Sequence, residues 1–520
     1  MGAAPGAGHT SFSRETVLRV LGSHVALGCL FALVLGECAG CKGEPSSASV
    51  DDAVTVSPSP SLRQGQADVS LVVTRAAGGL AGASAFALGG LVVARQPGST
   101  DTRLVLSVSV PHGAAFGART LTFSAARGPV SIADVVAVGA ITSGPGGADT
   151  NGGAADAPFR SLRRAVEVAG SGDTIRLLDG RYDGTTGETW RYTLPMGVTI
   201  AGQSITGTNL IGPLENGART PGSLGFLVPA GLALEDLTLS SFDTAVDASG
   251  PGALTLNNVA VSDAQTAAVR AAAAGVAITI AGGALGAEQD AILLDDGCTS
   301  CALDVTNVSL SGARLGGHTV ESTVNATGTR TSLRQVDVRG DISILGRAAT
   351  LSLNASSLEE SGGDARATIN FGGHALDVTD STIALAADNF GINFGGDTLA
   401  LSGVTIVGGH YGVYQLSGNA KLRATKIRDY GYIGYYLSQG DLDLGTATEP
   451  GDNAFSSGAT GPAVFGIYVD GITAPVTCSN TTFNGVEPPA GTQAAGDAEP
   501  IVMPGAFFIN NGKTVSFWAL

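Results

Sequence analysis

A short apolar phrase returns along the back two-thirds of this chain, and its return limits what the chain can fold into. It reads Leu-x-Leu-x-x-Val/Thr-x-Val. It stands at Leu234–Leu239, Leu254–Val261, Leu303–Val308, Leu376–Ser381 and Leu399–Val404, and closes at Val476–Thr481. The interval, roughly 20–28 residues, falls in the range of solenoids. Strands this short cannot bury a core alone. Stacked coil on coil, their alternate Leu, Val and Ile fill one shared interior. The residue between paired strands is repeatedly Asn or Asp (Asn258, Asn307, Asp380, Asn480). Both tolerate the left-handed backbone of a tight bend. A horseshoe of leucine-rich repeats would need regular intervals and a helical half-repeat, and the sequence has neither.

Composition agrees with an all-β chain. Glycine is abundant (76 of 520 residues) without a collagen period, and charged residues are only 14%, too few for a disordered polymer. A formal net charge of −17 excludes the basic surface that nucleic-acid binding requires. It also disfavours a purely electrostatic hold on acidic polysaccharides.

The N-terminus reads as a targeting segment. Arg14 and Arg19 precede an apolar run from Val25 to Leu35, too short for a membrane span. Cys38-Ala39-Gly40-Cys41 follows and resembles a bacterial lipoprotein cleavage site, which implies a lipid on Cys41. Cys38 departs from that motif, which usually has Leu there; simple secretion is the alternative. Residues 1–41 are thus a signal peptide and 42–60 a Ser/Pro-rich tether. In an exported chain, Cys298 and Cys301 suit a small disulfide. A zinc site would need two further ligands at ribbon spacing, and Cys478 falls on an inward face as a buried thiol.

Residues 61–141 carry short alternating strands at turn-separated intervals, the pattern of a small β-sandwich. Leu104–Val110 before Pro111, then Gly117–Phe123 and Gly128, resemble immunoglobulin-like domains of the IPT/TIG sort. Residues 142–153 read as a linker. Asp149 and Asn151 there could meet calcium, but the loop lacks the acidic set of an EF-hand, so no cofactor is expected.

The stretch 154–202 reads as the start of a coil. Asp156-Ala157-Pro158 opens a helix; Phe159, Leu162, Ala165, Val166 and Ala169 recur at helical spacing; Gly170 and Gly172 end it. A short helix suits the cap of an open solenoid end. Ala157–Leu162, Gly172–Ile175, Gly180-Arg181-Tyr182, Gly187-Glu188-Thr189 and Leu194–Gly202 resemble the bacterial domain of unknown function 1565. That resemblance implies a pectate-lyase-like, right-handed parallel β-helix and a secreted setting, without an activity. The β-helix is placed over 154–487, and 488–520 is a loop and C-terminal cap.

A second phase of the repeat carries the candidate site. Ile369-Asn370-Phe371, Ile392-Asn393-Phe394, Val413-Tyr414-Gln415, Tyr435-Tyr436-Leu437 and Ile467-Tyr468-Val469 align. Neighbours of an inward strand residue point outward. The alignment therefore predicts an exposed column of Asn370, Asn393, Tyr414, Tyr436 and Tyr468, which earlier coils extend with Asp247 and Arg270. Six of the nine tyrosines lie between 411 and 436, with Lys421, Arg423, Lys426 and Arg428 interleaved. Tyrosine faces can stack on sugar rings while polar tips bond hydroxyls, so the expected partner is a polysaccharide or envelope component. A one-residue slip would instead turn the ladder inward as a purely structural stack.

The expectation is a non-catalytic glycan-binding or scaffold protein held to the membrane by its lipid. The alternative is a polysaccharide lyase or glycoside hydrolase acting on an acidic polysaccharide. Asp295-Asp296, Gly409-His410 and Lys426-Ile427-Arg428 resemble, in order, elements of β-helix galacturonases. The Asn-Thr-Asp element of that family is missing, the basic triplet is reversed, and several coils separate Asp296 from His410. No nucleophile elbow, phosphate loop or zinc motif is present.

Overall fold

The computed structural model describes residues 53–295, 297–312, 322–327, 330–340, 342–347, 350–360, 367–386, 389–458, 465–470, 476–485, 487, 491–494, 501–503, 506–510 and 514–517. The stretch read as a signal peptide, with Cys41, and Asp296 lie outside these residues.

The chain winds as a right-handed parallel β-solenoid of about 11 turns behind a pair of small sheets. A typical coil contributes three short strands, as in Ala375–Thr379, Thr382–Ala384 and Phe390–Phe394. Each pairs in parallel with its counterpart one coil on, so Leu376 lies against Leu399, Ile383 against Ile406, and Ile392 against Val413. The third strand of every coil joins one fourteen-stranded sheet. Leu376, Val378, Ile383, Ile392 and Phe394 are buried, and one continuous apolar cluster fills the spiral from Ile141 to Phe483.

The bend between the first two strands of a coil repeats the same left-handed backbone. Asp236 (φ 52°), Asn258 (52°), Asn307 (56°), Asp380 (49°) and Asn480 (52°) all adopt it. Asn258 donates to the Asp236 carboxylate at 2.7 Å, tying one bend to the next. Gln335 (52°), Ala355 (47°) and Ala424 (48°) take the same conformation without the composition that favours it. Just past the bends runs a buried polar ladder. Val336 N donates to Ser356 Oγ (3.2 Å) and Ser356 N to Ser381 Oγ (3.1 Å); further on, Thr425 N donates to Asn453 Oδ1 (3.0 Å). These contacts pair backbone groups that would otherwise be costly inside the spiral.

Strand pairing extends across three of the boundaries read from sequence. Val54–Ser57, inside the presumed tether, is a strand antiparallel to Val69–Arg75. Val54 and Val56 pack on the core of the small sheets, which is why the chain is ordered there rather than extended. Ile141–Ser143, at the edge of the presumed linker, is the first rung of the solenoid and pairs in parallel with Ile175–Leu177. At the other end, Ala506–Asn510 pairs in parallel with Phe465–Val469, so a rung lies within the stretch read as a cap.

The small N-terminal sheets are four-stranded. One holds Val54–Ser57, Val69–Arg75, Val92–Arg95 and Arg103–Ser109, and the other Ser61–Arg63, Ser84–Leu88, Gly117–Ala125 and Gly128–Gly139. Leu71, Leu104 and Leu106 of the first share a core with Leu121, Phe123 and Val136 of the second. A turn at Gly89 and Gly90, both at positive φ, separates Ser84–Leu88 from Val92–Arg95.

The cap helix spans Leu162–Val168, starting later than Asp156-Ala157-Pro158 suggested. Ser161 is its N-cap and accepts from Arg164 N at 3.1 Å. The buried Glu188 carboxylate accepts from Leu162 N (2.9 Å) and Arg163 N (3.0 Å), pairing the next donors of the first turn. Asp149 is engaged in the same structure, accepting from Arg160 N, Ser161 N and Ser161 Oγ at 2.9–3.0 Å. Phe159 and Leu162 bury the apolar face over the first coil.

Candidate functional site

The outward side of the fourteen-stranded sheet carries a single file. Asp247 lies beside Arg270, then Leu293, Asn325, Leu345, Asn370, Asn393, Tyr414, Tyr436 and Tyr468 on successive coils. Rungs are about 4.8 Å apart, so the five-residue run from Asn370 to Tyr468 spans about 19 Å. Neighbours Ile369, Ile392, Val413, Tyr435 and Ile467 point inward and are fully buried. Asn370, Asn393, Tyr414, Tyr436 and Tyr468 are half-buried rather than exposed.

The reason is stacking. The Tyr414 and Tyr436 rings lie 4.4 Å apart and 3° from parallel, and Tyr436 and Tyr468 5.1 Å apart at 10°. A second aromatic row flanks them. Phe390 stacks on Tyr411 at 4.6 Å, and Tyr411 meets Tyr414 edge-on at 5.5 Å. Phe465 likewise meets Tyr468 edge-on at 5.9 Å. Ring faces within the column therefore cover one another, and what the column offers outward is ring edge and hydroxyl. This changes the expected mode of sugar contact: a ligand along the column meets hydrogen-bonding tips, not aromatic faces. The amide file continues the pattern, with Asn393 Nδ2 donating to Asn370 Oδ1 at 3.1 Å.

Two of the column's phenols, Tyr436 and Tyr468, are pushed toward their protonated form. Burial chiefly, then the neighbouring Tyr414 and Asp470, push the Tyr436 hydroxyl up; burial, Asp470 and Tyr432 do the same at Tyr468. Tyr436 Oη donates to Asp470 Oδ2 at 3.1 Å.

The basic residues interleaved in sequence do not join this face. Lys421 and Arg423 lie on the first strand of their coil. Lys421 pairs with Glu449 at 2.7 Å and Arg423 with Asp443 at 2.7 Å. Lys426 and Arg428 are exposed on the second strand. His410 stacks on Tyr432 at 4.9 Å. Asp295, next to the file, binds Arg270 at 2.7 Å. Five rungs, about 24 Å, separate its coil from the Tyr414 coil, so the galacturonase-like elements are not brought together. Cys298 and Cys301 form a disulfide and are buried, and Cys478 is a buried thiol. Among the described residues no cluster of His, Cys, Asp and Glu is arranged to hold a metal ion.

At the N-terminal end of the same file, Thr193, Leu227 and Asp247 share a register position. Burial pushes the Asp247 carboxyl up against the opposing pull of Arg270, whose Nη1 is 3.8 Å away, and the charge of Asp295 adds to the rise. Trp190, Arg191, Pro213 and residues 220–224 stand beside Asp247 around a cleft. Sequence reading placed Asp247 and Arg270 at this end but missed Trp190 and Arg191, which share no repeat with them.

The stretch that resembled a known family is engaged in building the first coil. Asp173 is completely buried and accepts from Gly113 N (2.7 Å), Gly170 N (2.8 Å) and His112 Nδ1 (2.5 Å). Tyr182 Oη donates to Ser143 O at 2.9 Å and Tyr192 Oη to Glu188 at 2.6 Å. Residues 145–234 match a family described as a protein of unknown function, DUF1565. No curated protein matches the chain. Among solved structures, the chain is similar to the catalytic domain of a GH87 alpha-1,3-glucanase in complex with nigerose, at 12% identity and a TM-score of 0.34, over 74% of this chain and 76% of that one. It is similar to a rhamnogalacturonan lyase at 12% identity and 0.32, covering 67% and 88%. A third is XylC in complex with xylose, at 8% identity and 0.31, covering 64% and 76%. Likeness at this level carries no argument about a substrate.

Proposed function

We propose that this is an exported protein, lipid-anchored through Cys41 to the outer membrane or cell surface, that holds a linear polysaccharide or envelope glycan along its fourteen-stranded sheet without cleaving it. The observation that carries the reading is the unbroken polar run Asn370, Asn393, Tyr414, Tyr436, Tyr468, one side chain per rung. A straight row of amides and phenol hydroxyls at a fixed repeat suits a chain of hydroxylated units better than a compact ligand. Because the ring faces are mutually covered, the grip is by hydrogen bonds. The anchor and export follow from the N-terminal segment alone.

The test is retention of neutral and acidic glycans by the full-length chain, with cleavage scored in the same samples. Replacing Tyr414, Tyr436 and Tyr468 together by Phe keeps the stack and removes the hydroxyls. Retention should fall about tenfold or more, the worth of two or three hydrogen bonds, while the thermal midpoint holds. Retention indifferent to that change removes the column as the site.

A second reading has one observation in its favour, the raised Asp247 carboxyl beside Asp295. A carboxyl with a raised pKa near a second carboxylate is the pairing used in sugar hydrolysis. Cleavage that disappears in Asp247→Asn would replace the binding reading with a hydrolase or lyase.

A further inference from the structure

Stacked ring pairs recur along the spiral. Phe371 lies on Phe394, Phe455 on Phe483 and Phe390 on Tyr411. Among the described residues, both rings of such a pair carry a hydroxyl only at Tyr414–Tyr436 and Tyr436–Tyr468. The two pairs are not equivalent. Tyr414 and Tyr436 are register partners on adjacent parallel strands, with centroids 4.4 Å apart and 3° between their planes, whereas Tyr436 and Tyr468 stand at 5.1 Å and 10°.

Side chains in register on parallel strands run in one direction. Hydroxyl therefore lies beside hydroxyl, and each ring carbon next to a hydroxyl lies near its counterpart on the other ring. The Tyr414 hydroxyl bears on the Tyr436 phenol by hydrogen bonding as well as by charge. A proton acceptor is also in place, since Tyr436 Oη donates to Asp470 Oδ2 at 3.1 Å. A phenol that loses an electron becomes strongly acidic, and a carboxylate already bonded to it can take the proton. Both residues are half-buried, so their edges meet solvent while their facing surfaces meet each other.

We propose that Tyr414 and Tyr436 are an oxidative modification site, at which a haem peroxidase using hydrogen peroxide joins the two rings carbon to carbon and so staples two coils covalently. Each phenol gives up one electron and its hydroxyl proton, that of Tyr436 by way of Asp470. The two tyrosyl radicals pair their electrons in one new bond between the carbons next to the hydroxyls. The hydrogens on those carbons leave as protons and each oxygen takes one back, which restores both aromatic rings. In sum, two tyrosines and one hydrogen peroxide give one dityrosine and two waters. The stack supplies orientation: the radicals form already in contact, so the bond closes within the chain before either ring meets another molecule. The reaction involves no glycan and is read by mass, so it can hold while the polysaccharide reading fails, and the reverse.

The test exposes the full-length chain to a haem peroxidase with hydrogen peroxide and, in parallel, to a photo-oxidised ruthenium complex, a one-electron oxidant small enough to reach any exposed ring edge. Lys421, Arg423, Lys426 and Arg428 lie between the two tyrosines, so trypsin places them on separate peptides unless the bond has formed. The expected product is a monomer lighter by two hydrogen atoms, with dityrosine emission and a joined peptide pair whose fragments locate the bond at Tyr414 and Tyr436. Tyr414→Phe and Tyr436→Phe keep the stack and should each abolish the joined pair with the thermal midpoint held, while Tyr411→Phe and Tyr432→Phe should leave it. Asp470→Asn should slow its appearance about tenfold or more, less than the full effect of a positioned base because water can take the proton instead. A chain left unlinked by both oxidants overturns the proposal. So does a joined peptide pair that persists in Tyr414→Phe or Tyr436→Phe, linkage between chains in place of linkage within one, or an equal yield from the chain unfolded in urea.

Discussion

Asp173 carries no accessible surface, yet its carboxylate is matched by two backbone N–H groups and the His112 ring. It ties the small sheets to the first coil. Asp173→Ala would strand Gly113 N and Gly170 N in the interior. It should cost about 2–4 kcal/mol, read by chemical denaturation. Asp183 makes a pH prediction. Burial pushes its carboxyl up, but hydrogen bonds from Thr185 and Arg181 outweigh burial and hold it down at about 2. A depressed carboxyl contributes stability that is complete above the ordinary value near 4 and is lost as pH falls toward 2. The loss should amount to about 2 kcal/mol over that window, and Asp183→Asn should flatten it in urea titrations run from pH 5 to 2. At this scale the sequence was legible in part. Asn258, Asn307, Asp380 and Asn480 declare their bends because their side chains favour that backbone. Trp190 and Thr220 declare nothing, because they belong to no repeat and come beside Asp247 only in the fold.

The bend shows what elements impose on residues. Ala355 and Ala424 sit at φ 47° and 48°, where an L side chain is strained and Gly is not. The coils above and below fix the register, so the strain persists. Ala355→Gly and Ala424→Gly should therefore each stabilise the protein by about 0.5–1 kcal/mol, against the usual sign for glycine in a β-region, and thermal unfolding checks it. The tyrosine column makes the matching point on the sheet. Alternation along each strand identified which side chains face outward, and the register agrees. Ring orientation was not legible, because period-two patterning says which face a residue takes and nothing about the plane of its ring. Tyr436 has a stacked ring on each side. Tyr436→Ala should cost about 2–4 kcal/mol, Tyr436→Phe far less, and the difference separates stacking from the hydroxyl.

At the scale of the whole molecule, stacking does what no single coil can. Each coil is too short to hold a core, and the shared interior running from Ile141 to Phe483 gives every inward Leu, Val and Ile its neighbours. The same stacking converts one outward position per coil into a straight, rigid track. That is why the repeat was legible from the phrase at Leu376 and Leu399 while its limits were not. Ile141–Ser143 and Ala506–Asn510 pair with the neighbouring coils but lie outside the Leu-x-Leu phrase by which the repeat is read. A track rewards ligand length in a way a pocket does not, since each added unit meets another rung until the run is covered. The most direct measurement is the affinity of the full-length chain for an oligosaccharide series of increasing length, read by calorimetry with a glycan that the protein retains. The account predicts affinity that climbs with each unit and levels off once the ligand spans the roughly 19 Å from Asn370 to Tyr468. Affinity that is the same for the shortest and longest members of the series would contradict it.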